Sequence, residues 1–237
     1  MRLTAHQPNY LPYPGFFQKI AAADAFLVVD TTQFVKRGPF GWIHRNRIRT
    51  PNGPIWLSLP VLHKGKFEQT ISAAELNPRV DWAQKHWRSI EWNYRKTPHW
   101  ERYAPSLREI YRQPWTRVAP LNTELIRWFL TQLELSPQFH VASELSALGK
   151  STEYILSFCK ELGATTFLSG VHGRDYLEVE RFAAEGIELL FQQYDPPSYQ
   201  TPGHAPIAEH LTMLDMLFWC GDDAVTWAHN VPEAVSA

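Results

Sequence analysis

The chain has 237 residues, 44% of them hydrophobic and 20% charged, with a formal net charge of −1. That length holds one large domain or two small ones and buries a core without staples. The near-zero charge excludes a global field for nucleic acid or an anionic membrane surface. No stretch approaches the ~20 apolar residues of a membrane helix. Arg2, His6, Gln7 and Asn9 stand where a signal peptide carries its apolar run. The two cysteines, Cys159 and Cys220, have no metal-ligand spacing and read as core thiols in a reducing, cytoplasmic compartment.

Residues 1–5 read as an opening strand. Residues 6–15 carry Pro8, Pro12 and Pro14 and cannot form a helix or a central strand. Apolar residues at Phe16, Phe17, Ile20 and Ala21 predict a short helix over 16–23, and residues 25–29 a buried strand. This is a βαβ unit, which favours parallel strands and a right-handed crossover. Residues 38–41 read as a turn. Asn52-Gly53 predicts a hairpin between strands at 43–49 and 55–61, and 70–74 reads as a further short strand. Asp81 is an expected N-cap for a helix through Trp82, His86 and Ile90. Pro98, Pro105, Pro114 and Pro120 then divide residues 81–135 into several helices. The clearest runs over 120–135, with Leu121, Leu125, Trp128, Phe129 and Leu133 on one stripe.

The last third returns to alternation. Strands are expected at 139–143, 165–169 and 187–192. Helices are expected at 151–162, capped by Ser151 or Thr152 and closed by Gly163, at 175–185, and at the end of 206–221. The pattern predicts an α/β fold: one mostly parallel, three-layer, Rossmann-like domain over 1–237 with a helical insertion at about 81–135. A split into two domains near residue 80 is the alternative.

Three polar clusters carry candidate chemistry. His6, Gln7 and Asn9 follow the first strand, where ligands gather in open α/β sheets; a plain rigid turn is the alternative. Asp30, Thr31, Gln33, Lys36 and Arg37 follow the second strand, with His44, Arg45, Asn46 and Arg47 close behind. Asp30 is placed to orient His6, and Arg45 and Arg47 share a strand face suited to phosphate or carboxylate. A solvated basic edge is the alternative. Ser169-Gly170-Val171-His172-Gly173-Arg174-Asp175 joins a strand to a helix, where glycines admit a ligand and a helix N-terminus favours an anion. The alternative there is a turn with Asp175 as N-cap. Gly149-Lys150-Ser151-Thr152 is similar to the end of a P-loop, but Glu144 stands where its first glycine belongs. Lys150 stays a candidate phosphate contact. Lys85-His86 lies on a helix among tryptophans, with His86 either a base or a structural histidine. H-E-x-x-H, C-x-x-C and G-x-S-x-G are absent, so no metal is indicated and no cofactor is specified.

These stretches together resemble the WbqC-like protein family. The resemblance rests on His6-Gln7-Pro8-Asn9-Tyr10-Leu11-Pro12 with Gly15-Phe16-Phe17, Asp30 to Gln33-Phe34, and Arg45-Asn46-Arg47-Ile48. It continues through Trp56-Leu57 with Pro60-Val61, Lys85-His86, Gly149-Lys150-Ser151-Thr152, Leu168-Ser169-Gly170 with Gly173-Arg174-Asp175-Tyr176-Leu177, and Leu214-Asp215 to Gly221. The motifs keep their order over nearly the whole chain. Val171-His172 stands where small residues such as Pro-Gly are expected, and Trp219 where Asn is expected. The resemblance implies a bacterial protein linked with surface-polysaccharide (O-antigen) or natural-product biosynthesis, and it carries over positions rather than a reaction.

The expectation is a transferase acting on an amino sugar or similar small molecule with a phosphate-bearing donor: a nucleotide, an acyl-thioester or a nucleotide sugar. His6 is the expected base, oriented by Asp30, with His86 as a further catalytic candidate. Arg45, Arg47, Arg174 and the Gly170–Gly173 loop are expected to hold phosphate. Gln7 and Asn9 read the acceptor, and Tyr10, Gln33, Asn46, Lys150, Ser169 and Asp175 complete the binding set. Two rivals stand beside it. One is nucleotidyl transfer, although its two-histidine signature is absent. The other is a non-catalytic module that binds a small ligand, or docks an acyl carrier protein on the Trp-rich surface of 82–115. Nucleic acid and membrane insertion are not expected.

Overall fold

The computed structural model describes residues 1–36, 41–147, 149–203 and 211–236. Arg37 and the expected turn at 38–40, and the opening of the last expected helix at 206–210, lie outside the described residues. Three prolines keep 8–14 irregular after strand β1, Arg2–His6. Pro14 then opens helix α1, Pro14–Ala21, at the first helical position, where its missing N–H has no partner to lose. Strand β2, Ala25–Val28, is buried along its whole length and pairs in parallel with β1, His6 facing Val28. Its alternation sorts the two faces of the sheet. Phe26 and Val28 enter one hydrophobic cluster, Ala25 and Leu27 the other.

A six-stranded sheet results, in the order β5-β2-β1-β6-β7-β8. Strands β5 (Gln138–Val141), β6 (Thr166–Ser169) and β7 (Glu188–Phe191) run parallel with β1 and β2. The short β8, Val235–Ser236, closes the edge antiparallel to β7. The chain builds outward from β1 through β2 to β5, then returns through helix α5, Ser151–Leu162, to place β6 on the other side of β1. The winding therefore reverses between β1 and β6, and a crevice is expected outside their carboxyl ends.

One face of the sheet is covered by α1 and by helices α2 (Trp82–Tyr94), α3 (Trp100–Arg112) and α4 (Val118–Gln132). Helices α7 (Met213–Cys220) and α8 (Asp222–His229) belong to the same cluster. Phe17 of α1 meets Phe129 of α4 at 4.9 Å between ring centres. The other face carries α5 and the short α6, Val179–Ala184. Strands β3, Arg45–Ile48, and β4, Ile55–Ser58, form a separate antiparallel hairpin. No helix among the described residues is long and apolar enough to cross a membrane.

Several local expectations change. Residues 70–74 give one bridge, Gln33 to Thr70, and a turn rather than a strand. Pro105 sits inside α3 and forgoes one backbone bond instead of dividing the helix. The helix expected at 175–185 shrinks to α6, because Val171–Asp175 winds into a 3-10 turn. Asp175 ends that turn and caps nothing. Lys150 holds the N-cap position of α5 without a side-chain cap. Thr152, expected as a cap, instead accepts the Glu178 amide at 3.1 Å through its hydroxyl and ties α5 to the chain before α6. Gly163 closes α5 at φ 69°, as its sequence position predicts.

Candidate functional site

The crevice expected from the strand order is framed by strand ends. Thr4 of β1 donates to the Leu168 carbonyl of β6 at 2.7 Å and locks the two central strands together. His6 is the last residue of β1, and Ser169 the last of β6. Residues 7–12 follow β1 as a loop pinned from three sides. The Asn122 amide donates to both the Pro8 and Ile43 carbonyls at 2.7 Å, the Tyr10 amide donates to Trp42, and Asn46 donates to the Leu11 carbonyl. Leu11 is held at φ 47°, a conformation side chains rarely adopt. The prolines and these bonds fix the side chains of the loop before any ligand arrives.

His6 Nδ1 lies 2.9 Å from the Gln7 carbonyl. A carbonyl only accepts, so Nδ1 carries the proton and Nε2 presents a bare lone pair. Phe16 packs edge-on at 4.8 Å. Although part of the ring reaches the surface, its surroundings are protein. Burial and the charge of Lys19 push the pKa down to about 3, against the pull of the Gln7 carbonyl. The imidazole is therefore neutral at physiological pH. Asp30 does not orient it. Its two carboxylate oxygens accept the Ser143 amide at 3.0 Å and the Ser143 hydroxyl at 2.8 Å, joining the ends of β2 and β5. The orienting role expected of Asp30 falls to the neighbouring carbonyl.

Gln7 donates to Thr32 at 2.9 Å. Asn9 is 4% exposed, and its Oδ1 is buried without a hydrogen-bond partner. Buried polar atoms are almost always paired, so this acceptor is an open valence beside the β1 loop. On the β6 side, the Ser169 hydroxyl turns back to the Gly170 carbonyl at 3.1 Å. Arg174 lies with its guanidinium carbon 4.2 Å over the Phe191 ring at the end of β7. It is exposed and brings a positive charge to the same sheet edge. Gln192, just past β7, donates to the Gly15 carbonyl at 2.8 Å and fixes the start of α1.

The remaining expected residues lie elsewhere. Tyr10 and His86 meet inside the helical layer. The Tyr10 hydroxyl is 2.7 Å from His86 Nδ1 and 2.6 Å from the Tyr111 hydroxyl, all three residues being buried. Burial pushes His86 down to about 4. Arg45 and Arg47 stack on Trp56 of the hairpin at 4.4 and 5.4 Å, a cation–aromatic face with Trp56 44% exposed. Gln33 donates to the Phe67 carbonyl at the surface, Lys150 is exposed, and Asp175 faces the exposed His172 at 3.7 Å.

Sequence reasoning passes over Lys19. It is 3% exposed on α1, and its Nζ donates to the Ala5 carbonyl of β1 at 3.0 Å. Burial lowers its pKa to about 7. The signal was present, since a lysine three residues after Phe16 falls on the apolar stripe of its helix. A second omission is structural. Arg49 of the hairpin grips Asp215 of α7 through two nitrogens, and Tyr94 and Tyr199 donate to the same carboxylate at 2.9 and 2.5 Å.

Two cavities lie outside the crevice. One of 760 Å³ is lined by Asn77, Arg79, Trp82, Gln113, Trp115 and Arg117, and one of 560 Å³ by Thr50, Asn52, Arg88 and Trp92. No crevice residue lines either. The strand ends and the open valences identify the crevice, not an enclosed volume.

The model of the WbqC-like protein family matches residues 7–227 of the chain. The chain is also similar to "Uncharacterized protein Rv1507c" of Mycobacterium tuberculosis, at 31% identity over 219 residues, covering 92% of this chain and 93% of that relative. No solved structure matches.

Proposed function

Starting from the fact that the chain belongs to the WbqC-like protein family, we propose that it is a small-molecule transferase whose site is the crevice between β1 and β6. The sheet reads as Rossmann-like. Counting only the parallel strands, its order is 3-2-1-4-5, with the crevice at the switch point. The observation that carries the reading is His6, a neutral imidazole at a strand end with a fixed tautomer and a bare Nε2.

In the proposed reaction, the acceptor is an amino sugar or similar molecule and the donor bears phosphate, as a nucleotide, an acyl-thioester or a nucleotide sugar. The acceptor nitrogen or oxygen bonds to the electrophilic atom of the donor, and its proton passes to His6 Nε2. The leaving phosphate or thiolate departs with its electron pair and takes that proton up. Gln7 and the unpaired Asn9 carbonyl group position the acceptor, and Arg174 attracts the anionic donor. Arg45, Arg47 and Lys150 contribute at most an outer positive surface in this reading. The reading puts the protein in the cytoplasm, where such donors are made.

The test is native mass spectrometry with thermal shift against ATP, coenzyme A thioesters and nucleotide sugars. A ligand at 100 times its Kd stabilises by about 2.7 kcal/mol. Stabilisation by one class, reduced in Arg174→Ala, supports the reading. With that donor, His6→Ala is expected to lower turnover by about 10²–10⁴-fold, and unchanged turnover removes the base assignment.

A second reading has its own observation. Trp92 is 73% exposed, with Arg95 stacked on it at 5.2 Å and Arg88 beside it in the same cavity lining. That face suits docking of an acyl carrier protein. Saturable binding of a carrier protein, lost in Trp92→Ala and accompanied by no conversion, favours this rival.

A further inference from the structure

Two glycines of the 169–175 segment are glycine for different reasons. A Cβ at Gly173 would fall 1.9 Å from the Ser169 hydroxyl, so packing alone forbids a side chain there. Gly170 has φ −72°, which any residue adopts. A Cβ built on it meets open space, save for Lys19 Nζ at 4.0 Å. Neither backbone conformation nor packing demands glycine at 170. The bare backbone instead leaves a gap directly over the Lys19 ammonium, at the carboxyl end of β6.

Lys19 reaches this point from the opposite side, out of α1. It spends one N–H on the Ala5 carbonyl. An ammonium has three, and no carboxylate pairs with Lys19 among the described residues. A buried cation without a counter-charge is costly, and an anion is what this position lacks.

We propose that Lys19 is the anion-binding group of the crevice and that a phosphate of the donor seats on its Nζ through the gap at Gly170. This rests on the crevice reading above and deepens it, moving the buried charge contact from the exposed arginines to a lysine inside the sheet edge. It also bears on His6. Lys19 is the charged group that acts on that imidazole, and Asp30, at the neighbouring strand end, is taken up by Ser143. Burial is the larger cause of the lowered His6 pKa, and an anion on Lys19 offsets the smaller, charge-borne part, so the base strengthens in that part when the donor is bound.

Inorganic pyrophosphate is the probe, titrated calorimetrically into the full chain. Lys19→Met keeps the side-chain volume and removes the charge. Gly170→Val fits the local backbone and fills the gap. Each is expected to weaken pyrophosphate by roughly tenfold or more, the worth of a charged hydrogen bond. Wild-type affinity in both variants, with loss in Arg174→Ala, overturns the Lys19 assignment and leaves the crevice standing. No binding by the wild-type protein overturns both. Should Lys19→Met fold poorly, the wild-type protein labelled with ¹³C-lysine gives the second readout. The slowest-exposed lysine ¹³Cε signal, covered by Gly170→Val, is expected to shift its titration midpoint upward by about one unit or more with pyrophosphate. An unmoved midpoint overturns the assignment.

Discussion

The helical layer and the crevice hold their ionisable groups in different ways. In the layer the buried carboxylate and the buried histidine sit in closed sets, although Trp87 Nε1, the Tyr103 hydroxyl and Asn122 Oδ1 are buried there without a partner among the described residues. Asp215, fully buried, receives Arg49, Tyr94 and Tyr199, and those four residues join the hairpin, α2, α7 and the segment before it. Tyr10, His86 and Tyr111 form a second closed set. In the crevice the valences stay open: the Asn9 carbonyl oxygen, the His6 Nε2 and the Lys19 ammonium. Satisfied networks specify a structure, whereas the crevice gathers an acceptor, a base and a cation at the ends of adjacent strands. The contrast also explains why His6 and His86, both neutral histidines pushed down by burial, are assigned different work.

The contrast breaks first at Asp215. Asp215→Ala removes the carboxylate that neutralises a buried guanidinium and accepts two tyrosine hydroxyls, and is expected to cost about 3–5 kcal/mol in denaturant unfolding. A loss below about 1 kcal/mol would mean that the network does not clamp the hairpin to α7. Lys19→Met should do the reverse and stabilise the fold by up to about 4 kcal/mol. The sign follows from linkage. The lysine binds its proton up to about pH 7 in the folded chain and to its ordinary value near 10.5 in the unfolded one. The unfolded state thus holds the extra proton between these values, and wild-type stability rises with pH across that window. The gain from Lys19→Met is therefore largest below pH 7 and fades toward pH 10. A gain that is flat with pH contradicts a buried unpaired ammonium.

Tyr10→Phe removes the shared partner of His86 and Tyr111 and is expected to cost about 1–3 kcal/mol. His86, held at about 4, stays neutral in the fold while the unfolded imidazole protonates below 6.5. It contributes stability that is lost as pH falls from 6.5 toward 4, and His86→Gln should flatten that part of the stability profile. The smallest structural effect is expected at His6. His6→Gln should change stability by less than about 1 kcal/mol, because its contacts are one hydrogen bond to the Gln7 carbonyl and the edge of Phe16, while turnover collapses. A large loss of stability with turnover retained would move His6 into the structural class.

Much of the sheet was legible because buried parallel strands show as short apolar runs and their helices as a period of 3.6. The continuous apolar run of β2, the Asn52-Gly53 hairpin and the Gly163 cap follow from local chemistry. The polar residues at the ends of β1 and β6 were legible for the same reason, since strand ends can be read without knowing the sheet order. What escaped depends on contacts distant in sequence. Asp30 reads as a partner for His6 until Ser143, 113 residues away, takes both of its oxygens. Val171 to Asp175 reads as the mouth of a helix, but Gly173 packs on Ser169 and the chain winds tightly before α6 can start. Lys19 was hidden by habit, because a lysine in a short helix is ordinarily solvated and only the three-dimensional fold shows it buried against the Ala5 carbonyl of β1.

The most direct test of the central claim is amide hydrogen exchange, with and without whichever of ATP, a coenzyme A thioester or a nucleotide sugar stabilises the protein. Slowed exchange concentrated at residues 6–11 and 169–174 is the predicted result, since ligand there closes the crevice between β1 and β6. Slowing confined to 77–83 and 113–117, around the larger cavity of the helical layer, would contradict the account and place the site on the other side of the molecule's chemistry.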